Sequence, residues 1–109
     1  MPAEPQLPAS ILVPALIRQV QAAGGFATLL SRGGPYGNTI LLVWRQAFVR
    51  AYEKLPDASG GSVWRMAAEG EDNVESFIVR QRRFDPDIWV LELDVADPAR
   101  FIPGFVARD

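Results

Sequence analysis

The sequence predicts an α+β fold: a five-stranded, mainly antiparallel sheet with two helices, in the order α-β-β-β-β-α-β. Three observations predict it. Two segments repeat their apolar residues at helical spacing, one around Leu16 and one around Phe77. Five short apolar runs are set apart by turns rich in glycine, proline and aspartate. The first four of these runs follow one another too closely for helical crossovers, which favours hairpins.

The elements follow in order. Residues 1–9 form a proline-rich lead, expected to be disordered, and residues 10–109 a single α+β domain. Pro14 suits a first helical turn, where its missing N–H costs nothing. Leu16, Ile17, Val20 and Ala23 then recur at helical spacing until Gly24-Gly25 stops the helix. Phe26 to Ser31 reads as a strand, and Arg32 to Asn38 as a glycine-rich turn joining it to the next as a hairpin. Thr39 to Arg45 is nearly all apolar, the pattern of a strand buried on both faces. Phe48 to Leu55 and Ser62 to Ala67 are two further strands around a flexible loop. A second helix spans Glu71 to Phe84, with acidic residues at its start and Arg80, Arg82 and Arg83 at its end, matching the helix dipole. Asp85-Pro86 stops it, because the residue before a proline is pushed out of the helical region. Ile88 to Asp94 is the last strand, with Trp89, Leu91 and Leu93 on one face. Phe101, Ile102, Phe105 and Val106 follow in a tail that must either pack on the sheet or meet a partner. The sequence leaves open whether the two helices share a face of the sheet.

Composition excludes more chemistry than it suggests. The chain has no cysteine, hence no disulfide, thiolate nucleophile or zinc–thiolate site. It has no histidine, the residue most used for acid–base work at neutral pH. Serine triads and His-x-x-x-His metal motifs are therefore absent. Catalysis would fall to carboxylates, Lys54, Tyr36, Tyr52 or a bound cofactor. No cofactor is expected, and an enzyme is not the favoured reading. A net charge of −2 offers no basic field for nucleic acid, which is disfavoured as a partner. The apolar run Ile11 to Ile17 ends at Arg18, too short to span a bilayer, and the first residues lack a basic leader pattern. The expected location is cytoplasmic.

A set of residues carries a family resemblance. It comprises Ala15-Leu16-Ile17-Arg18, Ala22-Ala23-Gly24-Gly25-Phe26-Ala27, Arg32-Gly33, Gly37-Asn38, Trp64 and Glu92. Its most specific piece is Arg80-Gln81-Arg82-Arg83-Phe84-Asp85-Pro86-Asp87-Ile88-Trp89. With these residues the chain resembles a family of small alphaproteobacterial proteins of unknown function, over roughly residues 11–94. The resemblance implies an intracellular bacterial protein and transfers no catalytic residue.

Four groups of residues are candidates for a site. Arg80 and Arg83 share a helix face and could clamp phosphate or carboxylate, helped by Arg32 and flanked by Asp85 and Asp87. The structural alternative is that these arginines pair with nearby carboxylates and serve the helix end. The glycines of the Arg32–Asn38 loop could present amides to an anion, although a turn needing positive φ explains them more simply. Trp44, Trp64 and Trp89 could stack bases, but each lies in an apolar strand pattern that favours the core. Asp85 and Asp87 could hold a hard cation, yet carboxylates around a proline more often build a turn, and no metal is expected. Glu92 should pair with an arginine.

Three functions compete. The leading one is a non-enzymatic interaction module, a homo-oligomer or protein partner acting through the C-terminal tail or an edge strand. The second is a small-anion or nucleotide binder using Arg80, Arg83 and Arg32. The third is a metal- or cofactor-dependent enzyme using Asp85, Asp87 or Glu92.

Overall fold

Ile40, Leu41, Leu42, Val43 and Trp44 are buried without a break, so one strand is covered on both faces and sets the architecture. In the computed structural model, residues 7–105 are described. Helix α1 (Ala9–Ala22) precedes β1 (Phe26–Ser31), β2 (Ile40–Arg45), β3 (Val49–Pro56) and β4 (Ser62–Glu69). Helix α2 (Glu71–Phe84), β5 (Trp89–Asp94) and a 3-10 turn at Pro98–Arg100 complete the chain. Most of the proline-rich lead, and Val106 of the tail, lie outside the described residues.

The sheet order is β1-β5-β2-β3-β4. All neighbours are antiparallel except β2 and β5, which run parallel. The fold is thus α+β with a mixed, mostly antiparallel sheet. The helices lie on opposite faces. Ile40, Leu42 and Trp44 point to a core shared with Val13, Leu16 and Val20 of α1. Leu41 and Val43 point the other way, to Val74 and Phe77 of α2. Each fully buried large side chain contributes roughly 1.5–3 kcal/mol, so covering both faces of β2 and β5 anchors the whole sheet.

Two expectations need correction. Helix α1 begins at Ala9, with Pro8 as its N-cap, so Pro14 lies inside the helix. Val13, Leu16 and Val20 hold that segment helical through the core despite the lost backbone donor. Second, β1 and β2 do not form a hairpin, because β5 lies between them. The reason is apolarity. Trp89, Val90, Leu91 and Leu93 of β5 are buried and take the central place, whereas β1 alternates between exposed and half-buried residues and goes to the edge. The chain from β1 to β2 must therefore cross over the start of β5. Strands β4 and β5, joined by α2, run parallel, and α2 covers β3 and β4 on its way.

The tail belongs to the core. Ile102 and Phe105 are buried on the α1 face. The Phe105 ring lies 4.7 Å from Tyr52 and 5.7 Å from Trp44, edge-on to the latter. Of the two fates open to this segment, packing on the sheet is the one observed. No helix among the described residues is long and apolar enough to cross a membrane.

Candidate functional site

The glycine loop and the arginine-rich signature meet in one place. The loop after β1 crosses the start of β5, where the turn leaving α2 arrives. Asp85 accepts the Asp87 N–H through its side chain at 3.1 Å, closing a local turn. The Asp87 carbonyl accepts from Gly34 N at 3.1 Å. Trp89 donates its indole N–H to the Gly34 carbonyl at 3.0 Å and its backbone N–H to Thr39 at 2.9 Å. A Cβ at Gly33 or Gly37 would overlap the Asp87 carbonyl, and one at Gly34 the Asp87 side chain. None of these three glycines has a positive φ. They are small because two backbones touch, which corrects the expectation of a positive-φ turn.

This arrangement spends the groups an anion cradle would need. The Gly34 amide is already bonded, and the Arg32 guanidinium lies 5.6 Å over the Trp89 ring. Asp85 and Asp87 are members of the turn. Among the described residues no group of three or more His, Cys, Asp or Glu side chains could hold a metal ion. Arg80, Arg82 and Arg83 are exposed and form no ion pair among the described residues. The structure thus gathers Arg32, Asp85 and Asp87 at the start of β5 and leaves Arg80 and Arg83 on the last turns of α2.

The tryptophans are structural. Trp44 donates to the Val95 carbonyl at 2.9 Å, Trp64 to Pro103 at 3.2 Å, and Trp89 to Gly34. Each indole pins an irregular segment to the α1 face, and the spent N–H supports a packing role.

One charged cluster was only half visible in the sequence. Glu92, half-buried on β5, accepts from Arg45 Nε at 3.0 Å, and Arg45 also reaches Glu71 at 2.5 Å. The Glu71 hydrogen bond, then that from Glu92, raises the Arg45 pKa above its ordinary value. The same bond from Arg45 lowers that of Glu71. The parallel β2–β5 pairing brings Arg45 and Glu92 together, and nothing in their 47-residue separation announces it.

A cleft of about 710 Å³ opens on the α1 face between α1, the start of β2 and the β3–β4 hairpin. Its floor is core: Leu16, Ile40, Leu42 and Ile102. Lys54 sits in its wall, 6.0 Å above the Trp64 ring. It gathers none of Arg32, Arg80, Arg83, Asp85 and Asp87.

The two edges of the sheet differ. On β4, the outer backbone N–H of Trp64 donates to the Gly104 carbonyl at 3.3 Å, and Arg65 and Glu69 are exposed. On β1, Phe26 is 70% exposed and Leu30 46%, with Thr28 exposed between them and no charged residue in the strand. Its register with β5 is regular from Phe26 to Leu29 and shifts before Ser31.

Comparison with known proteins decides the family. The model of the family described as "Protein of unknown function (DUF1491)" matches residues 7–103. The chain belongs to the DUF1491 family. No curated protein matches. The crystal structure of a DUF1491 family protein from Caulobacter crescentus is similar with a TM-score of 0.77 at 28% identity, covering 93% of this chain and 99% of its own. An NMR structure of a DUF1491 family protein from the same organism gives 0.75 at 28% identity, over 96% and 100%. A solution structure of a protein from A. tumefaciens gives 0.76 at 26% identity, over 96% and 98%. Both sources are alphaproteobacteria. The DUF1491 fold therefore spans nearly the whole chain, and the family is one of unknown function.

Proposed function

We propose that this protein is a non-enzymatic, cytoplasmic interaction module that self-associates through the outer edge of β1. The observation that carries the reading is the contrast between the two edges. β4 is covered by the tail and carries charges, two devices that block edge-to-edge pairing. β1 has neither, and it presents Phe26 and Leu30 to solvent beside that edge. The tail is not the interface in this reading, because Ile102 and Phe105 are spent on the protein's own core. Antiparallel pairing of two copies of β1 would extend the sheet and supply partners for the outward N–H and C=O groups. Amide hydrogen exchange tests it: protection of Phe26–Ser31 should rise with protein concentration. Protection that is independent of concentration overturns the proposal.

A second reading, a small-anion or nucleotide binder, is favoured by the exposure of Arg80 and Arg83 without ion pairs among the described residues. It predicts that inorganic phosphate or a nucleotide raises the melting temperature, and that the Arg80→Gln/Arg83→Gln variant loses the shift. A thermal screen with no shift removes this reading.

A further inference from the structure

Packing accounts for most of the signature run. Asp85 closes a turn, Asp87 meets the glycine loop, and Trp89 is buried and bonded to Gly34. Packing does not account for Arg80, Arg83 and Phe84. These occupy positions i, i+3 and i+4, so they share one face of the last turns of α2. All three are exposed, Phe84 at 86%. Tyr36, on the crossing loop, is 91% exposed. Tyr36 and Phe84 are the most exposed large apolar side chains among the described residues. The same lock places both: Tyr36 precedes Gly37, which packs on the Asp87 carbonyl, and Phe84 lies three residues before Asp87.

The charge of this end is also one-sided. The second half of α2, from Phe77 to Phe84, holds Arg80, Arg82 and Arg83 and no acidic residue. Glu71, Asp72 and Glu75 lie in its first half, with Glu71 held by Arg45. Arg32 adds a fourth cation, against Asp85 and Asp87. Exposed aromatic rings beside arginine, held on a rigid base, have the composition of an interface centre.

We propose that Arg80, Arg83 and Phe84 of α2, together with Tyr36, form a docking surface for an acidic segment of a partner protein that carries a large apolar side chain. Arginine forks pair with the partner's carboxylates, and Phe84 and Tyr36 cover its apolar residue. This surface uses no residue of β1 and does not depend on self-association. An acidic protein segment fits better than nucleic acid, because the net charge of −2 repels a polyanion of high charge density.

The test is fluorescence anisotropy with three labelled probes: a peptide of alternating glutamate and phenylalanine, the same peptide with lysine for glutamate, and single-stranded oligothymidylate. The acidic peptide should bind and the lysine peptide should not. Arg80→Gln/Arg83→Gln and, separately, Phe84→Ser should each weaken binding by about tenfold or more, with the melting temperature unchanged. Tyr36→Ser should weaken it in the same direction. Absence of acidic-peptide binding, or equal binding by the variants, overturns the proposal. Tighter binding of the oligothymidylate overturns it in favour of a nucleic-acid surface. Loss of binding on arginine replacement with no effect of Phe84→Ser overturns it in favour of a simple anion site.

Discussion

At the scale of single residues, the contact between Gly34, Asp87 and Trp89 is the sharpest constraint in the chain. Gly37→Ala, in the same loop, forces a methyl group onto the Asp87 backbone carbonyl, so it should cost about 1–3 kcal/mol, read as a fall in melting temperature. Trp89→Phe keeps an aromatic ring and removes the indole donor, while the Gly34 carbonyl keeps its bond from the Gly37 N–H, so it should cost about 0.5–1.5 kcal/mol. If both variants melt like the wild type, the loop and turn are not locked. Glu71 supplies a pH signature. Its pKa is lowered in the folded state, so its contribution is present above the ordinary value of 4.5 and fades as pH falls through the folded value. Glu71→Gln should lower the melting temperature slightly at neutral pH, where the pair is intact, and leave it unchanged at low pH, so the acid side of the melting temperature–pH curve flattens by a small amount, small because the pair is exposed. The residue roles were partly legible. The proline and aspartates announce a turn, but the loop glycines suggest a positive-φ turn, whereas close contact with the Asp87 segment is what they serve. That the two features touch was not legible, since Gly34 and Trp89 are 55 residues apart and meet only through the sheet order.

At the scale of elements, the tail is a structural part and not an appendage. Phe105 packs on Trp44 and Tyr52, and Gly104 holds the edge of β4. The φ of +79° at Gly104, and its closeness to the Ser62 carbonyl, leave no room for a side chain there. Phe105→Ala should therefore lower stability by about 3–5 kcal/mol, measured by urea denaturation. A variant as stable as the wild type would mean that the tail does not complete the core. Element identities were readable because helical and strand periodicities were strong; α2 spans the expected Glu71–Phe84. The order of strands was not. Local spacing suggests a β1–β2 hairpin, but β5 arrives last and is more apolar than β1, so it displaces β1 to the edge. Burial settled a pairing that turn length alone had suggested otherwise. The helix start was misplaced for a related reason: Pro14 resembles a first-turn residue, while the buried Ala9 and Val13 draw the helix further back.

At the scale of the whole molecule, a sheet with one capped edge and one bare edge has a direction in which it can grow. The tail closes the β4 side, and β1 presents Phe26, Thr28 and Leu30 on the face that α2 leaves open. The sequence contained the uncharged strand, but not its position at the border of the sheet. The most direct measurement is sedimentation velocity at high micromolar concentration on the wild type and on Thr28→Lys. Thr28 is exposed and lies near the middle of β1, so two paired copies bring it close to itself. Lysine there sets like charges against each other without touching the core. The wild type should sediment as a concentration-dependent dimer, and Thr28→Lys as a monomer with an unchanged melting temperature. A wild type that stays monomeric, or a dimer that survives Thr28→Lys, would contradict self-association through β1.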